Sequence, residues 1–430
     1  MGFNKKTIKE YDIHGKKVLL RADYNVSVND NGDILNDYRI QESLPTINYL
    51  LDQNCSIIIC SHFGRPDGKV DKKYSLNKVA KQLEKLLGRD VLFVDDCIGE
   101  KVQQASKSLK NGEILMLENL RFYKEEENNN DEFAKKLAEL AEVFVQDAFG
   151  VVHRAHASTE AVTKHIPSIA GLLLEKEVDT ITNVMDNPDR PLMAIIGGAK
   201  IADKIEILNR FIDIADFVVV GGAMANTFLL AEGIDIAKSM ADKDDVPLAK
   251  DIIEKARTKA KKNRFIFYLP QDGVVAKKVD KTATTRIVDW DAHVIEDIES
   301  YPKLPSKKSI SIENDEMILD IGPVSGSFIA GGIQMVSTVI WNGTMGVTET
   351  PGLQGPIGPF AHGTEILINA MTGEHGNKPF TLVGGGDTSG YLEQKNLIDG
   401  FNHVSTGGGA SLDLMSGKSL PGVECLWGKD

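Results

Sequence analysis

Short apolar runs alternate with amphipathic stretches along most of the chain. Between residues 17 and 170, β-branched and apolar runs at 18–21, 56–61, 91–94, 114–117 and 143–147 predict strands. Between them, 76–87 and 132–140 carry apolar residues three and four apart, the spacing of one helical face. Alternation of this kind implies parallel strands with crossover helices on both faces of the sheet. A further helical pattern (Leu172, Leu173, Leu174, Val178, Ile181, Val184, Met185) ends in Asn187-Pro188-Asp189-Arg190-Pro191. Proline stops a helix there. Strands resume at 192–196, 217–220, 265–269, 339–341 and 380–383. A helix followed by a fresh series of strands reads as an inter-domain connector.

Polar residues gather just after the strands, where open α/β sheets bind ligands. In the first half these are Arg21, Asp23 and Asn25; Ser61-His62-Phe63-Gly64-Arg65-Pro66; Glu118-Asn119-Leu120-Arg121-Phe122; and Asp147, followed by His153-Arg154-Ala155-His156. With Arg39 they place several guanidiniums at one sheet edge. The planar fork of arginine suits carboxylate and phosphate, so the first half should hold a small polyanion. In the second half the trailing loops are glycine-rich: Gly197-Gly198-Ala199-Lys200, Gly221-Gly222-Ala223-Met224, Asn342-Gly343-Thr344-Met345-Gly346 and Gly384-Gly385-Gly386-Asp387-Thr388. A fifth, Ser405-Thr406-Gly407-Gly408-Gly409-Ala410, follows near the C-terminus. Residues without Cβ let backbone N–H groups close on a ligand, and a helix starting there presents orphan N–H groups that suit phosphate. Asp387 adds a hard oxygen of the kind preferred by Mg²⁺ carried on a nucleotide. A strand-to-helix turn with Asp387 as N-cap would look the same in isolation. The recurrence is what favours a nucleotide site.

The chain has 430 residues, 42% hydrophobic and 26% charged, with a net charge of −13. The acidic balance argues against a general nucleic-acid binder. Four scattered cysteines form no disulfide framework and no zinc ribbon, and a reducing compartment suits them. No apolar run reaches the ~20 residues that span a bilayer. A cytoplasmic location with no membrane partner is the expectation. The histidines at 153 and 156 stand three apart, as on one helical face, but lack partners at metal spacing. The charged run 125–132 reads as an exposed loop and 255–264 as a solvated helix end. Ser416-Gly417-Lys418-Ser419 is not a P-loop, because Leu412 stands where the first glycine is required. The dinucleotide fingerprint fails too, since Gly197-Gly198 lacks its third glycine.

Taken together, Arg21-Ala22-Asp23-Tyr24-Asn25-Val26, the Ser61–Pro66 and Glu118–Phe122 motifs, Asp147-Ala148-Phe149-Gly150, His153–His156, Gly197–Lys200 with Asp203-Lys204, and the later glycine loops resemble those of the phosphoglycerate kinases. The resemblance runs in register from about residue 5 to Leu426. It implies an α/β fold of two similar-sized doubly wound, Rossmann-like domains joined by a helix and hinge. The boundaries it suggests are 1–170 with a returning segment 405–430 for the 3-phosphoglycerate domain, 171–188 for the connecting helix and 189–404 for the nucleotide domain. It implies phosphoryl transfer between 1,3-bisphosphoglycerate and ADP, with Mg²⁺, by a monomer. Carried over by position, Asp23, Asn25, Arg39, His62, Arg65, Arg121 and Arg154 bind 3-phosphoglycerate. Gly197, Lys200, Lys204, Gly221, Gly222, Leu319, Asn342, Gly343, Glu349, Gly385, Gly386, Asp387 and Thr388 serve the nucleotide, with Asp387 on the metal. Arg39, Lys200, Gly385 and Gly408 take the catalytic roles, Lys200 touching the transferring group.

Departures from the family pattern stand at Ser27 and Thr344, both usually proline, and Thr348, usually phenylalanine. The segment 350–359 is also several residues longer than the family norm. The chemistry agrees with the residues independently. Phosphoryl transfer asks for positioning and charge neutralisation, and an acyl-phosphate acceptor is a carboxylate already ionised at neutral pH, so no general base is needed.

Overall fold

The computed structural model describes residues 2–290, 293–295, 311–353, 355, 357–374 and 376–429. The chain divides into two compact units, Met1–Asn183 with Thr406–Asp430, and Val184–Ser405. The boundary falls inside the helix Leu172–Asp186.

The first unit holds six parallel strands: β1 (Lys17–Arg21), β2 (Ser56–Cys60), β3 (Val91–Phe93), β4 (Ile114–Met116), β5 (Val143–Gln146) and β6 (Ser168–Ala170), in the order β3-β4-β2-β1-β5-β6. Val18 faces Ile57 on one side and Val143 on the other. Val18 and Leu20 join the hydrophobic core on one face of the sheet while Leu19 joins the core on the other. A strand buried on both faces has no polar side to alternate with, which is why these segments read as unbroken apolar runs. Winding starts at β1, runs out through β2, and then reverses to β5. The carboxyl ends of β1 and β5 therefore flank a crevice of the kind where such sheets bind ligands.

The second unit repeats the plan. Its main sheet contains β7 (Leu192–Ile196), β8 (Phe217–Val220), β9 (Ile266–Leu269), β12 (His293–Ile295), β14 (Thr338–Asn342), β15 (Phe380–Gly384) and β16 (His403–Val404), ordered β12-β9-β8-β7-β14-β15-β16. All pairs are parallel except β12 with β9. Here the reversal lies between β7 and β14. A smaller antiparallel sheet, β11-β10-β13, is made from β10 (Asp272–Ala276), β11 (Arg286–Asp289) and β13 (Met317–Ile321).

Helix starts are tied to the strand ends. Asp147, one residue past β5, accepts from the N–H groups of Leu173 (2.9 Å) and Leu174 (3.1 Å) at the start of the helix Leu172–Asp186. Burial pushes its carboxyl up to about 7. Among the described residues no helix is long and apolar enough to cross a membrane.

The charged run at 125–132 departs from the exposed loop its composition predicts. It holds a short helix, Lys124–Glu127, and the first turn of the helix Asp131–Ala138, and Glu126 is fully buried. Its carboxylate is drawn inward by Ser158 and Arg21, residues far away in sequence. The two histidines at 153 and 156 also do not share a helical face, because the chain there is a turn following the short 3₁₀ segment Phe149–Val151.

Candidate active site

The first unit gathers a basin of charge around Asp23, at the carboxyl end of β1. Arg39, on the helix Tyr38–Asp52, donates from Nη1 to Asp23 Oδ2 at 2.8 Å. His62 Nδ1 lies 3.9 Å from Asp23 Oδ1. Burial alone would raise the Asp23 pKa, but Arg39, His62, the Asn25 N–H and Arg21 outweigh it and hold the carboxyl at about 2. Asp23 is therefore an acceptor-only group throughout the physiological range. Gly150 makes this packing possible: a Cβ there would sit 2.2 Å from Asp23 Oδ2.

Asn25 and Arg121 both reach the Gly64 peptide. Gly64 N–H donates to Asn25 Oδ1 (2.9 Å) and Arg121 Nη1 donates to the Gly64 carbonyl (2.8 Å). Arg121 is buried and pairs through Nε with Glu127 Oε1 at 3.3 Å. Burial, with Arg21 and Arg154 nearby, lowers its pKa, and Glu127 and Glu126 oppose this. Arg154 is exposed and donates to His153 Nε2 at 3.2 Å. Arg65 is also exposed, on the segment after β2. His62 is buried; burial lowers its pKa well below the usual imidazole range, Asp23 working against this and Arg21, Arg121 and Arg39 working with it. Gly408 opens the helix Gly408–Met415 in the same unit, where Gly409 approaches His153. A hollow of about 1250 Å³ elsewhere in this unit, lined by Phe63, Tyr74 and Phe122 among others, contains none of the predicted residues.

In the second unit the loops after β7 and β14 are stitched together. Lys204 Nζ donates to the Gly197 carbonyl (2.6 Å) and to Asn342 Oδ1 (2.8 Å). Burial lowers its pKa to about 8, while Asp387 and Asp203 pull it back up. Gly343 sits at φ 105°, and a Cβ on it would meet the Gly197 carbonyl oxygen at 2.4 Å. Only glycine allows two strand-end loops to close this tightly. Thr388 is buried and its Oγ1 accepts from the Gly343 N–H at 2.7 Å, so that N–H is already used within the protein. Asn342 Nδ2 is buried with no hydrogen-bond partner among the described residues.

These loops wall a cleft of about 410 Å³, lined by Gly198, Gly222, Leu319, Glu349 and Asp387 among others. Two helices begin at its edge, Gly222–Ala231 after Gly221 and Gly386–Gln394 after Gly385. Their first N–H groups are free of intrahelical partners, as at any helix start. Asp387 is exposed in the first turn of the second helix. Lys200 is 59% exposed, with Nζ 3.6 Å from Asp242 Oδ2. After Glu349, Thr350 is buried, and a Cβ on Gly352 or Gly358 would meet the carbonyl oxygen of Gly355 or Thr350; Gln354 and Pro356 lie outside the described residues.

Several contributors are not among the predicted site residues. Trp290, beyond β11, lines the cleft and donates its indole N–H to the Pro270 carbonyl at 2.6 Å. Asn119 braces the His62 loop, accepting from Phe63 N–H (3.1 Å) and donating to the Phe63 carbonyl (2.7 Å). Ser158 and Glu126 stand behind Arg21. Asn119 was visible within its motif, whereas Glu126 was hidden in a run of charge.

Fold and site chemistry together define an α/β phosphotransferase. The model of the family "Phosphoglycerate kinase" matches residues 8–418. Among curated relatives, the phosphoglycerate kinase of Moorella thermoacetica is 43% identical over 98% of this chain and 99% of its own. That of Desulforapulum autotrophicum is 44% identical over 98% of this chain and 100% of its own. The solved phosphoglycerate kinase from Coxiella burnetii superposes with a TM-score of 0.78 at 35% identity, covering 98% of each chain. The chain belongs to the phosphoglycerate kinase family. Its reaction is that of the family: reversible phosphoryl transfer between 1,3-bisphosphoglycerate and ADP, giving 3-phosphoglycerate and ATP in glycolysis.

Proposed function

We propose that the arginine basin of the first unit holds 3-phosphoglycerate and the glycine-walled cleft of the second holds ADP or ATP. The observation that carries this reading is placement. Each cluster stands at the carboxyl ends of strands where its sheet reverses winding, β1 and β5 in one unit and β7 and β14 in the other. Arg39, Arg65, Arg121 and Arg154 supply charge-assisted donors for the substrate's phosphate and carboxylate, and Asn25 and His62 neutral polar contacts. Asp23, ionised, accepts from the substrate hydroxyl. Gly197, Gly221, Gly222, Gly385 and Gly386 let the backbone approach the nucleotide, Leu319 lies against the base, and Glu349 faces the ribose. Gly408 opens a helix whose first N–H groups suit a phosphoryl oxygen.

The acceptor is a carboxylate, so the protein needs no base; it positions the reactants and neutralises charge. Lys200 supplies a movable cation to the transferring group, while Lys204 keeps the β7 and β14 loops in register. Two substrates held on separate units react when hinge-bending brings them together and excludes water. Asp387 suits Mg²⁺, since an exposed carboxylate at the cleft wall is of the kind that, one or two together, would hold a nucleotide-carried Mg²⁺ alongside phosphate oxygens. When bound, the ion neutralises the phosphate oxygens of the nucleotide. The assembly expected is a monomer. The free cysteines Cys55, Cys60, Cys97 and Cys425 support a reducing cytoplasm.

Steady-state kinetics of Arg121→Ala tests the division of labour. Losing a charge-assisted hydrogen bond, about 1.5–3 kcal/mol, should raise KM for 3-phosphoglycerate roughly 10- to 100-fold and leave KM for ATP within about twofold. Equal increases for both substrates would contradict the assignment. Calorimetry of Asp387→Asn tests the metal. MgADP binding should weaken about tenfold or more, consistent with losing a hydrogen bond to a charged group, while metal-free ADP binding changes little. The same loss with and without Mg²⁺ would remove Asp387 from the metal.

A further inference from the structure

Arg21, Ser158 and Glu126 lie behind the basin, and phosphoryl transfer as described gives them no task. Arg21 closes β1 with its side chain 1% exposed. Its Nη1 donates to the Ala22 carbonyl at 2.5 Å and its Nε to Ser158 Oγ at 2.8 Å. Ser158 in turn donates from Oγ to Glu126 Oε1 at 2.6 Å and from its backbone N–H to Oε2 at 3.0 Å. Glu126 Oε1 is 3.9 Å from Arg21 Nη2, and Glu126 itself is fully buried. The guanidinium is thus held on two edges. Its third outlet, Nη2, lies 3.3 Å from His62 Nδ1.

Taken as a hydrogen bond, that contact has one sense. A guanidinium has no acceptor, so Arg21 donates and His62 Nδ1 accepts. A neutral imidazole whose Nδ1 accepts must carry its proton on Nε2. We propose that Arg21, held by Ser158 and the buried carboxyl group of Glu126, fixes His62 as the neutral Nε2–H tautomer. Arg21 and Glu126 are then positioning residues that make His62 an uncharged hydrogen-bond donor to 3-phosphoglycerate in an otherwise cationic basin. The substrate half of this proposal rests on the placement of 3-phosphoglycerate in the basin.

The groups facing His62 bear this out. Burial disfavours the imidazolium most, Asp23 opposes this from 3.9 Å, and Arg21, Arg121 and Arg39 act in the same direction as burial. His156, the other imidazole near Glu126 (4.0 Å), is likewise pushed down, to about 4, by burial and by Arg21, Arg121 and Arg154. A neutral donor keeps its charge and its hydrogen-bonding sense across the physiological range. An imidazole free to rotate or protonate there would change both.

The test is ¹⁵N-detected NMR of the histidine rings in the full chain, with His62→Gln assigning the signal. In the wild type His62 is expected to show a bare Nδ1 and a protonated Nε2 from about pH 5.5 to 8.5. The double variant Arg21→Met/Glu126→Gln removes the ion pair as a unit and leaves no uncompensated buried charge. In it His62 should titrate inside that range and share its proton between both nitrogens. The ratio of variant to wild-type KM for 3-phosphoglycerate should then fall about tenfold from pH 8.5 to 5.5, the worth of roughly one pKa unit, as His62 gains charge. The substrate's own ionisation cancels in that ratio, and a merely structural loss would leave it flat. A protonated Nδ1 in the wild type, or a double variant whose His62 signals match the wild type, overturns the proposal. Adding 3-phosphoglycerate to the wild type should shift His62 Nε2. A bare Nδ1 that ignores the substrate would uphold the tautomer and overturn the substrate role.

Discussion

Lys200→Ala is expected to lower kcat roughly 10²- to 10³-fold, about 3–4 kcal/mol, by analogy with removing one preorganised donor from an active site. KM for both substrates should stay within a few-fold, the signature of an interaction made chiefly in the transition state. The reasoning starts from exposure. Lys200 follows β7 and is 59% exposed, and its contact with Asp242 is a surface ion pair at 3.6 Å. Such pairs are worth about 0–1 kcal/mol, so redirecting the ammonium to a phosphoryl group costs little. The benefit appears when negative charge is spread over the donor, the acceptor and the equatorial oxygens. Lys200→Arg should recover part of the rate, since the charge is kept but its position changes. Turnover of the alanine variant within about threefold of wild type would end the catalytic assignment and leave a lysine that caps a glycine turn.

Glu126→Ala should cost about 3–5 kcal/mol of stability, the usual penalty for breaking a buried ion pair from one side. Arg21 would lose the carboxylate 3.9 Å from its Nη2 and keep the more distant Asp23 as its counter-charge, and Ser158 would lose both partners for its N–H and hydroxyl. Burial pushes the Glu126 carboxyl above its ordinary range, with Arg21 and Ser158 pulling it back. The position is expensive to build, and the paired replacement Arg21→Met/Glu126→Gln should lose far less than the single one. Urea unfolding measures the difference as a shift in midpoint at unchanged slope. A single variant within about 1 kcal/mol of wild type, on the same scale for a broken pair, would show that Arg21 does not depend on Glu126.

The parallel strands were legible because their burial is two-sided. Runs such as those at 56–61 and 192–196 match β2 (Ser56–Cys60) and β7 (Leu192–Ile196) to within a residue. Shortness alone does not erase the signal, since the three-residue β3 and β4 fall within the apolar runs at 91–94 and 114–117, but other short or half-exposed strands left none. β6 and β16 span three and two residues, and β11 reads Arg-Ile-Val-Asp, with Ile287 exposed and Val288 buried. The glycine loops were legible because the geometry they allow leaves its mark on the residue type itself, as at Gly343. What lies behind the basin was not. The Arg21–Ser158–Glu126 chain joins residues 137 and 32 positions apart, and nothing local distinguishes Glu126 from its solvated neighbours. Nor does a motif reveal that Thr388 spends its hydroxyl on the Gly343 N–H.

The most direct test of the two-site account is a crystal structure of the protein with 3-phosphoglycerate and MgADP bound. The account predicts 3-phosphoglycerate among Asp23, Arg39, His62 and Arg121 in the first unit. It places the nucleotide phosphates against Gly197, Gly385 and Asp387 in the second. Finding both ligands in one unit, or 3-phosphoglycerate clear of Arg39 and Arg121, would contradict it.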